Sequence, residues 1–238
     1  LVVKSADRLV LLLSAATDYA PTRITQWKSV EDPVAANERH LSQAKKYGVN
    51  KLLARHIADY TTLFNRIELD LDHSQLDRQR TTKASLQAYR KQPIPALEAL
   101  VYQYGRYLLI SSSRKGGLPA NLQGLWNNSN NPPWRSDYHS NINVQMNYWP
   151  AEVANLSESA WPYLDYINSM RAIKKINTQK EFPGVRGWTV RTENNIFGGE
   201  SFLWNTPGSA WYAQALWEHY AFNGDKKYLK EFAYPILK

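Results

Sequence analysis

The chain has 238 residues, no cysteine and a formal net charge of +8 at pH 7, so it is long enough for one or two domains with a sizeable core. Without cysteine it can form neither disulfides nor thiolate metal sites. The basic residues are scattered among acidic ones, which argues against a nucleic-acid partner, and no stretch approaches the roughly 20 apolar residues of a membrane span.

The first part of the chain predicts two strands with helices between them. An apolar run at residues 8–16 indicates a buried strand, and alternating apolar and charged residues at 66–71 indicate a half-buried edge strand. Helices are predicted at residues 33–47 and 51–65, separated at Gly48, because apolar residues recur there at helical spacing.

The rest of the chain predicts mostly helices. Asn141 and Asn143 stand where an asparagine oxygen can cap a helix start. An apolar stripe at helical spacing is formed by Leu97, Leu100, Val101, Tyr104 and Leu108. Helices of this length joined by long loops favour an α/α toroid over a short-looped bundle. After a polar loop and short helix, the predicted helices cover residues 94–113, 143–155, 158–176, 206–223 and a last segment capped by Asp225.

Polar amides, aromatic residues and turn residues are most concentrated at residues 116–161, in a long loop that runs into a predicted helix. Loops held at the ends of rigid helices commonly carry binding and catalysis. A second, flexible loop is predicted at residues 198–204, GGESFLW. The nine tryptophans and fifteen tyrosines of the chain suit stacking against sugar rings, although packing in a helical core is the alternative for most of them.

Several segments resemble the glycoside hydrolase family 95 enzymes. The resemblance rests on LPANLQGLWN, NPPW and YHSNINVQMNYWPAE, and continues in the same order through GVRGW, GSAWYAQALWEHYAFNGDKKYL and YPILK. It implies inverting α-L-fucosidases, with some α-L-galactosidases among them, whose catalytic domain is an (α/α)6 barrel. The chain would be about a third of a family member.

The resemblance also implies a domain organisation for a mainly α fold. Residues 1–29 are expected to end an N-terminal β-sandwich, residues 30–92 to form a helical linker with one strand, and residues 93–238 to form the first part of the (α/α)6 toroid. A partial barrel exposes an apolar seam, so we expect the rest of the barrel to come from residues not in this chain. Many relatives are exported, so we expect the protein to be periplasmic or secreted, with a signal upstream.

Inverting glycosidases use two carboxyl groups about 6.5–9.5 Å apart, which leaves room for the attacking water. An amide cannot be the base, but its carbonyl oxygen can hold the water for a more distant carboxylate. The resemblance assigns that role to Asn141 and Asn143 and a substrate-hydroxyl contact to His139, whose position is thought to distinguish a fucose methyl from a galactose hydroxymethyl. It places the general-acid glutamate and the base aspartate beyond Lys238.

The loop that lines the sugar pocket departs from the family pattern. Many relatives carry His-His-Asn-Thr-Asp where residues 191–195 of this chain read RTENN, which leaves the substrate open. Glu193 can hydrogen-bond sugar hydroxyls or pair with Arg191, and the sequence supports both equally. Trp204 and Trp211 are candidate platforms for a sugar ring, with ordinary packing as the alternative for Trp211.

Three classes of function fit these features. The first is an exo-acting, inverting α-L-fucosidase, or an α-L-galactosidase of the same family, acting on glycans with terminal α-L-fucose or α-L-galactose. The second is a non-catalytic carbohydrate-binding homologue, and the third is a structural helical domain docked on a β-sandwich. No cofactor or metal is expected, because the five histidines lack HxxxH and HExxH spacing and no glycine-rich phosphate loop is present.

Overall fold

A computed structural model describes residues 2–71, 76–77 and 79–238, which form two compact units divided between Thr62 and Leu63. The fold is mainly α-helical, as the sequence predicts. No helix among these residues combines the length and the apolar character needed to cross a membrane. The predicted domain limits after residues 29 and 92 stay predictions.

Most of the regular structure belongs to the second unit. The helices are α1 Pro33–Phe64, α2 Thr82–Tyr89, α3 Pro95–Ser112, α4 Asn143–Tyr148, α5 Pro150–Val153, α6 Ser157–Glu181, α7 Gly208–Asn223, α8 Lys226–Tyr228 and α9 Tyr234–Leu237. The strands are β1 Tyr138–His139, β2 Val190–Asn194 and β3 Glu200–Asn205. A 3₁₀ turn covers Pro133–Ser136, and a π-helical turn covers Leu229–Ala233.

Several helix ends lie where the sequence predicts them. Helix α7 ends at Gly224, whose φ of 67° is left-handed and strains residues with a Cβ. The Asp225 carboxylate then accepts hydrogen bonds from the amides of Lys227 and Tyr228 and caps α8. The two helices predicted on either side of Gly48 form α1, which is interrupted at that glycine (φ 71°).

The two predicted strands at residues 8–16 and 66–71 are wrong. Neither segment forms a strand, and residues 8–16 are almost all exposed. Strands need partners for their amide and carbonyl groups, and no strand pairs with either segment in the described part of the chain. An apolar run by itself therefore does not make a sheet here.

Helix α3 buries only part of the apolar stripe that the sequence predicts. Leu97 is buried and Leu108 is half-buried, whereas Leu100, Val101 and Tyr104 are exposed. The described neighbours therefore cover the two ends of the stripe and leave its middle outside. The position of apolar residues on a helix indicates a face that can be buried, and only the neighbouring elements decide whether it is.

The core of the second unit is built around stacked tyrosines from three helices. Tyr148 of α4 stacks on Tyr163 of α6 with ring centroids 4.8 Å apart, and Tyr212 of α7 meets Tyr163 edge-on at 5.7 Å. The Tyr148 hydroxyl lies 2.7 Å from Ser113 Oγ and accepts a hydrogen bond from the Ala120 amide. Burial raises the pKa of Tyr148 to about 12. These contacts fix α4 relative to the loop that precedes it.

Strands β1, β2 and β3 form an antiparallel sheet that the sequence did not predict. His139 lies opposite Glu193 across β1 and β2, and Arg191 lies opposite Trp204 across β2 and β3. The turn between β2 and β3 is stabilised by Asn195, whose Oδ1 accepts hydrogen bonds from backbone amides of the turn, including that of Gly199. The flexible loop predicted at residues 198–204 is therefore wrong, since most of it is strand β3.

A buried ion pair holds the β2–β3 hairpin against helix α6. Lys174 Nζ lies 2.8 Å from Glu200 Oε2, and the lysine side chain is completely buried. Burial lowers the pKa of Lys174, and its hydrogen bond to Glu200 partly offsets that effect. The attraction between the carboxylate and the ammonium group offsets the free energy that both groups lose when they leave water.

We expect Lys174→Met to destabilise the complete protein by about 3–5 kcal/mol, because it leaves the Glu200 charge buried without its partner. Adding Glu200→Gln should restore most of the loss, since no unpaired charge then remains. Chemical denaturation of both variants measures the difference. Lys175→Met, at the exposed neighbouring position of α6, is the control and should change stability by less than about 0.5 kcal/mol. Equal losses for Lys174→Met and the double variant would contradict the prediction.

Candidate functional site

An open cleft of about 750 Å³ lies beside the three-stranded sheet. Most of its wall is polar or charged, which suits a ligand rich in hydroxyl groups better than an apolar one. The residues that line it are Arg135, Asp137, Glu193, Asn194, Asn195, Gly199, Glu200, Ser201 and Phe202.

Three titratable side chains converge at this cleft, of which Asp137 and Glu193 line it and His139 lies beside them. His139 Nε2 lies 2.9 Å from Asp137 Oδ1 and 3.9 Å from Glu193 Oε1. His139 and Glu193 meet because residues directly opposite each other on an antiparallel pair share a face. Glu193 is further held through Oε2, which accepts hydrogen bonds from Arg135 and Ser201. The structure thus brings two predicted sugar contacts, His139 and Glu193, into one cluster.

The Asp137 carboxyl group is the most perturbed acid of the cluster. Its pKa is raised to about 6, mainly by burial. Glu193 raises this pKa further through like-charge repulsion, whereas His139 and Arg135 lower it without cancelling the effect of burial. Such perturbed groups in a cleft are typical of functional sites.

A buried polar network positions the turn between β1 and α4. Ser140 is fully buried, and its Oγ donates a hydrogen bond to the Arg191 carbonyl and accepts one from Asn194 Nδ2 at 3.2 Å. The Ser140 carbonyl accepts hydrogen bonds from Gln145 Nε2 and Asn205 Nδ2. Because β2, β3 and α4 all form hydrogen bonds with Ser140, the turn has little freedom to move.

Asn141 and Asn143 lie in and after this turn, and both are exposed. Ile142 occupies the N-cap position of α4, which has no side-chain cap, so the prediction that an asparagine oxygen caps this helix is wrong. Neither amide makes a side-chain hydrogen bond to another residue that the structure describes, which leaves both available to a ligand. The network around Ser140 fixes the helix start in place of a cap.

A left-handed turn brings Arg135 to the cluster. Trp134, Arg135 and Ser136 have φ values of 46°, 58° and 51°, a region that residues with a Cβ seldom occupy. The Ser136 hydroxyl donates a hydrogen bond to Gln123, which helps to hold the turn. Strained backbone of this kind concentrates at functional sites, and here it places a guanidinium group on Glu193.

Arg191 does not pair with Glu193, the alternative that the sequence left open. Its guanidinium lies over the Trp204 ring, 4.3 Å from the ring centroid, and it donates a hydrogen bond to the Phe202 carbonyl. Phe182 meets the same indole edge-on at 5.2 Å. Trp204 therefore lies at the side of the sheet with much of its ring already covered, and its role as a sugar platform stays a prediction.

Trp211 lies apart from the charged cluster. It lines a second, small pocket of about 50 Å³ together with residues of α4, α6 and α7, among them Gln145, Trp149 and Glu218. Gln145 also bonds the Ser140 carbonyl, so this pocket borders the turn that carries Asn141. The sugar-platform role of Trp211 stays a prediction.

The cluster of Asp137, His139 and Glu193 could also hold a metal ion, because its ligand atoms all lie within 4.8 Å of one another. The spacing of histidines along the sequence could not indicate this arrangement, which depends on strand pairing. Arg135 already neutralises Glu193, and a positive charge so close to the site opposes a cation.

The sequence did not identify Asp137 or Arg135 as site residues. Asp137 had a usable signal, since it lies two positions before His139 in an extended segment, and alternate residues of such a segment share a face. The sequence carried no signal for Arg135, because only the left-handed turn brings this side chain to Glu193.

Comparison with known proteins places the chain in one family. The Glycosyl hydrolase family 95 catalytic domain matches residues 48–238. The chain is 38% identical to Alpha-L-fucosidase 2 of Arabidopsis thaliana and 33% identical to Probable alpha-fucosidase A of Aspergillus niger, over 99% and 100% of its length. It is 36% identical to Probable alpha-fucosidase A of Aspergillus oryzae over 82% of its length. The chain spans only 28–31% of these relatives.

We expect Asp137 to make folding stability depend on pH between about 4 and 6. The pKa of Asp137 is about 6 in the folded protein, against an ordinary value of 3.8. The contribution of this group to folding stability is therefore fully present below pH 3.8. It is lost as the pH rises through the pKa of the folded protein. Asp137→Asn should remove this part of the pH dependence, which is measured as the melting temperature of the complete protein between about pH 4 and 6. Asp225→Asn, which keeps a helix cap, is the control, and an unchanged slope for Asp137→Asn would contradict the raised pKa.

Proposed function

Because the chain belongs to glycoside hydrolase family 95, we propose that the complete protein is an exo-acting α-L-fucosidase that removes terminal α-L-fucose with inversion. The match to the family's catalytic domain over residues 48–238 carries this proposal. The names of the relatives support fucose as the sugar. Exo action and inversion follow from the resemblance of the motif around Asn141 and Asn143.

In the proposed mechanism, the carbonyl oxygens of Asn141 and Asn143 hold the attacking water. Both amides are exposed on a turn that the buried Ser140 network fixes, so they are available and have defined positions. An amide cannot take the proton from this water. We therefore propose that the base aspartate and the general-acid glutamate come from residues outside this chain, about 6.5–9.5 Å apart across the sugar.

The proposed sugar contacts are His139, Glu193, Trp204 and Trp211. Glu193 lines the cleft, and its Oε1 lies 3.9 Å from His139 Nε2, a pairing that suits hydroxyl groups. Trp204 and Trp211 offer apolar ring surface for the C–H face of a sugar. Trp211 lines the small pocket that Gln145 also lines, and Gln145 bonds to the turn that carries the asparagines.

The chain is proposed to form the first part of an (α/α)6 toroid, preceded by the linker and the end of a β-sandwich. Exposed apolar residues on α3 and α4, including Val101, Tyr104, Met146 and Trp149, support this proposal, because apolar surface of this kind is normally covered. The rest of the barrel would supply the cover. We also propose that the complete protein is exported to the periplasm or the medium.

A second candidate is an α-L-galactosidase of the same family. The departure of residues 191–195 from the family pattern favours it, because Glu193 and its partner Arg135 change the charge of the sugar pocket. The reaction and the roles of the asparagines would be the same, and only the group at C5 of the sugar would differ.

Hydrolysis of aryl α-L-fucoside and aryl α-L-galactoside by the complete protein distinguishes these candidates. Proton NMR of the first product should show the β anomer, because a single displacement inverts the anomeric carbon. An α anomer at early times would contradict inversion. Binding of L-fucose without turnover of either glycoside would indicate a carbohydrate-binding homologue, and neither binding nor turnover would leave the structural alternative.

We expect Asn143→Asp to abolish most activity of the complete protein while leaving it folded. The new charge beside the base raises the base's pKa by like-charge repulsion, and a water held for attack matters most in the transition state. The loss should therefore fall on kcat, by roughly 100-fold or more, with little change in KM. The charge lies at the start of α4, where it favours the helix, so thermal unfolding should be unchanged.

The matched control is Asn130→Asp, which makes the same change at an exposed loop position and should retain full activity. A fully active Asn143→Asp protein would remove Asn143 from the mechanism. A large fall in its melting temperature would indicate a structural role.

A further inference from the structure

Two buried polar atoms beside the cleft lie close together without forming a hydrogen bond. Asp137 Oδ1 and His139 Nε2 are 2.9 Å apart, and neither has a hydrogen-bond partner of acceptable geometry. The two side chains are only 10% and 12% exposed. Leaving such groups unsatisfied is costly, and a ligand that bonds to either of them would offset that cost.

A third atom, Glu193 Oε1, lies close to these two. Glu193 Oε2 is occupied by Arg135 and Ser201, whereas Oε1 is the oxygen directed at His139, 3.9 Å from its Nε2. The three atoms thus comprise one donor, when Nε2 carries the proton, and two acceptors. A hydroxyl group, which both donates and accepts, satisfies this set.

Exposed aromatic residues flank these three atoms. Trp134 meets the His139 ring edge-on with centroids 6.5 Å apart and is 66% exposed. Phe202 lines the cleft, is 65% exposed and has a left-handed φ of 68°. A strained, exposed aromatic residue beside a polar cluster is costly for folding alone, and it suits a ligand with both hydroxyls and an apolar face.

We propose that Asp137 is a further sugar-binding residue, which accepts a hydrogen bond from one ring hydroxyl of the terminal sugar while His139 donates to the same oxygen. The neighbouring ring hydroxyl then lies on Glu193 Oε1. This inference rests on the proposed function, which names the sugar but assigns Asp137 no role. A neutral hydroxyl fits better than a cation, because Arg135 already balances Glu193.

The proposal is tested with Asp137→Asn in the complete protein and aryl α-L-fucosides that lack one hydroxyl at C2, C3 or C4. Losing a hydrogen bond to a charged group should lower kcat/KM on the parent glycoside by roughly 10- to 100-fold. On the analogue that lacks the partner hydroxyl, the same substitution should cost little further, because the interaction is already absent. Asp165→Asn, a carboxylate on α6 that does not line the cleft, is the control and should match the wild type on every substrate.

Three results would overturn the proposal. The first is an unchanged kcat/KM for Asp137→Asn on the parent glycoside. The second is an equal loss of kcat/KM on all three deoxy analogues, which would show that Asp137 acts through folding or through the electrostatic field of the site and not through one hydroxyl. The third is stoichiometric metal in the purified wild type, lost together with activity on chelation and in Asp137→Asn, which would identify a cation site.

Failure of the proposed function gives a different pattern. If the wild type hydrolyses neither the fucoside nor the galactoside, calorimetric titration with L-fucose and L-galactose tests the same residue. Binding by the wild type and by Asp165→Asn, with at least roughly tenfold weaker binding by Asp137→Asn, would support the sugar site in a non-catalytic protein. No binding by the wild type, or equal binding by all three proteins, would reject it.

Discussion

The candidate site depends on the burial of Ser140 and Asn194. Asn194 is 1% exposed, and its amide donates hydrogen bonds to Ser140 Oγ and to the Tyr138 carbonyl of β1. These bonds tie the two-residue strand β1 to β2, although so short a strand has little ladder of its own. The pairing of β1 with β2 is what places His139 opposite Glu193. A buried polar network whose hydrogen bonds are largely satisfied favours one strand pairing. That pairing in turn fixes the positions of the charged residues in the cluster.

The second unit combines a rigid apolar core with a polar cleft whose groups are incompletely bonded. Tyr148, Tyr163 and Tyr212 pack helices α4, α6 and α7 together, while the Lys174–Glu200 pair anchors the hairpin to α6. Unsatisfied atoms such as Asp137 Oδ1 and the left-handed turn at Arg135 lie around the cleft, where such features cost stability. Tyr163 also leaves a buried hydroxyl in the core without a hydrogen-bond partner among the described residues. The packing of the core therefore offsets the free energy that the unsatisfied and strained groups at the cleft cost.

A site of this kind is also incomplete by its chemistry. Asn141 and Asn143 can orient a water but cannot accept its proton, and the chain spans 29% and 31% of the length of two fucosidase relatives. The exposed apolar faces of α3 and α4 agree with the proposal that further helices cover them and bring the carboxylates. Under the proposed mechanism, Glu193, held by Arg135, serves substrate recognition rather than proton transfer.

The sequence by itself determined the helical class, the ends of helices at Gly224 and Asp225, and the family, because these depend on local backbone preferences and on motifs that stay contiguous. It also pointed to His139 and Glu193. It could not show that they touch, that Asp137 joins them, or that Arg135 rather than Arg191 neutralises Glu193, because strand pairing and a left-handed turn decide those contacts. The strands predicted at residues 8–16 and 66–71 failed, and the sheet at β1–β3 was missed, for the same physical reason. A strand exists only through its partners, whereas a helix satisfies its own backbone.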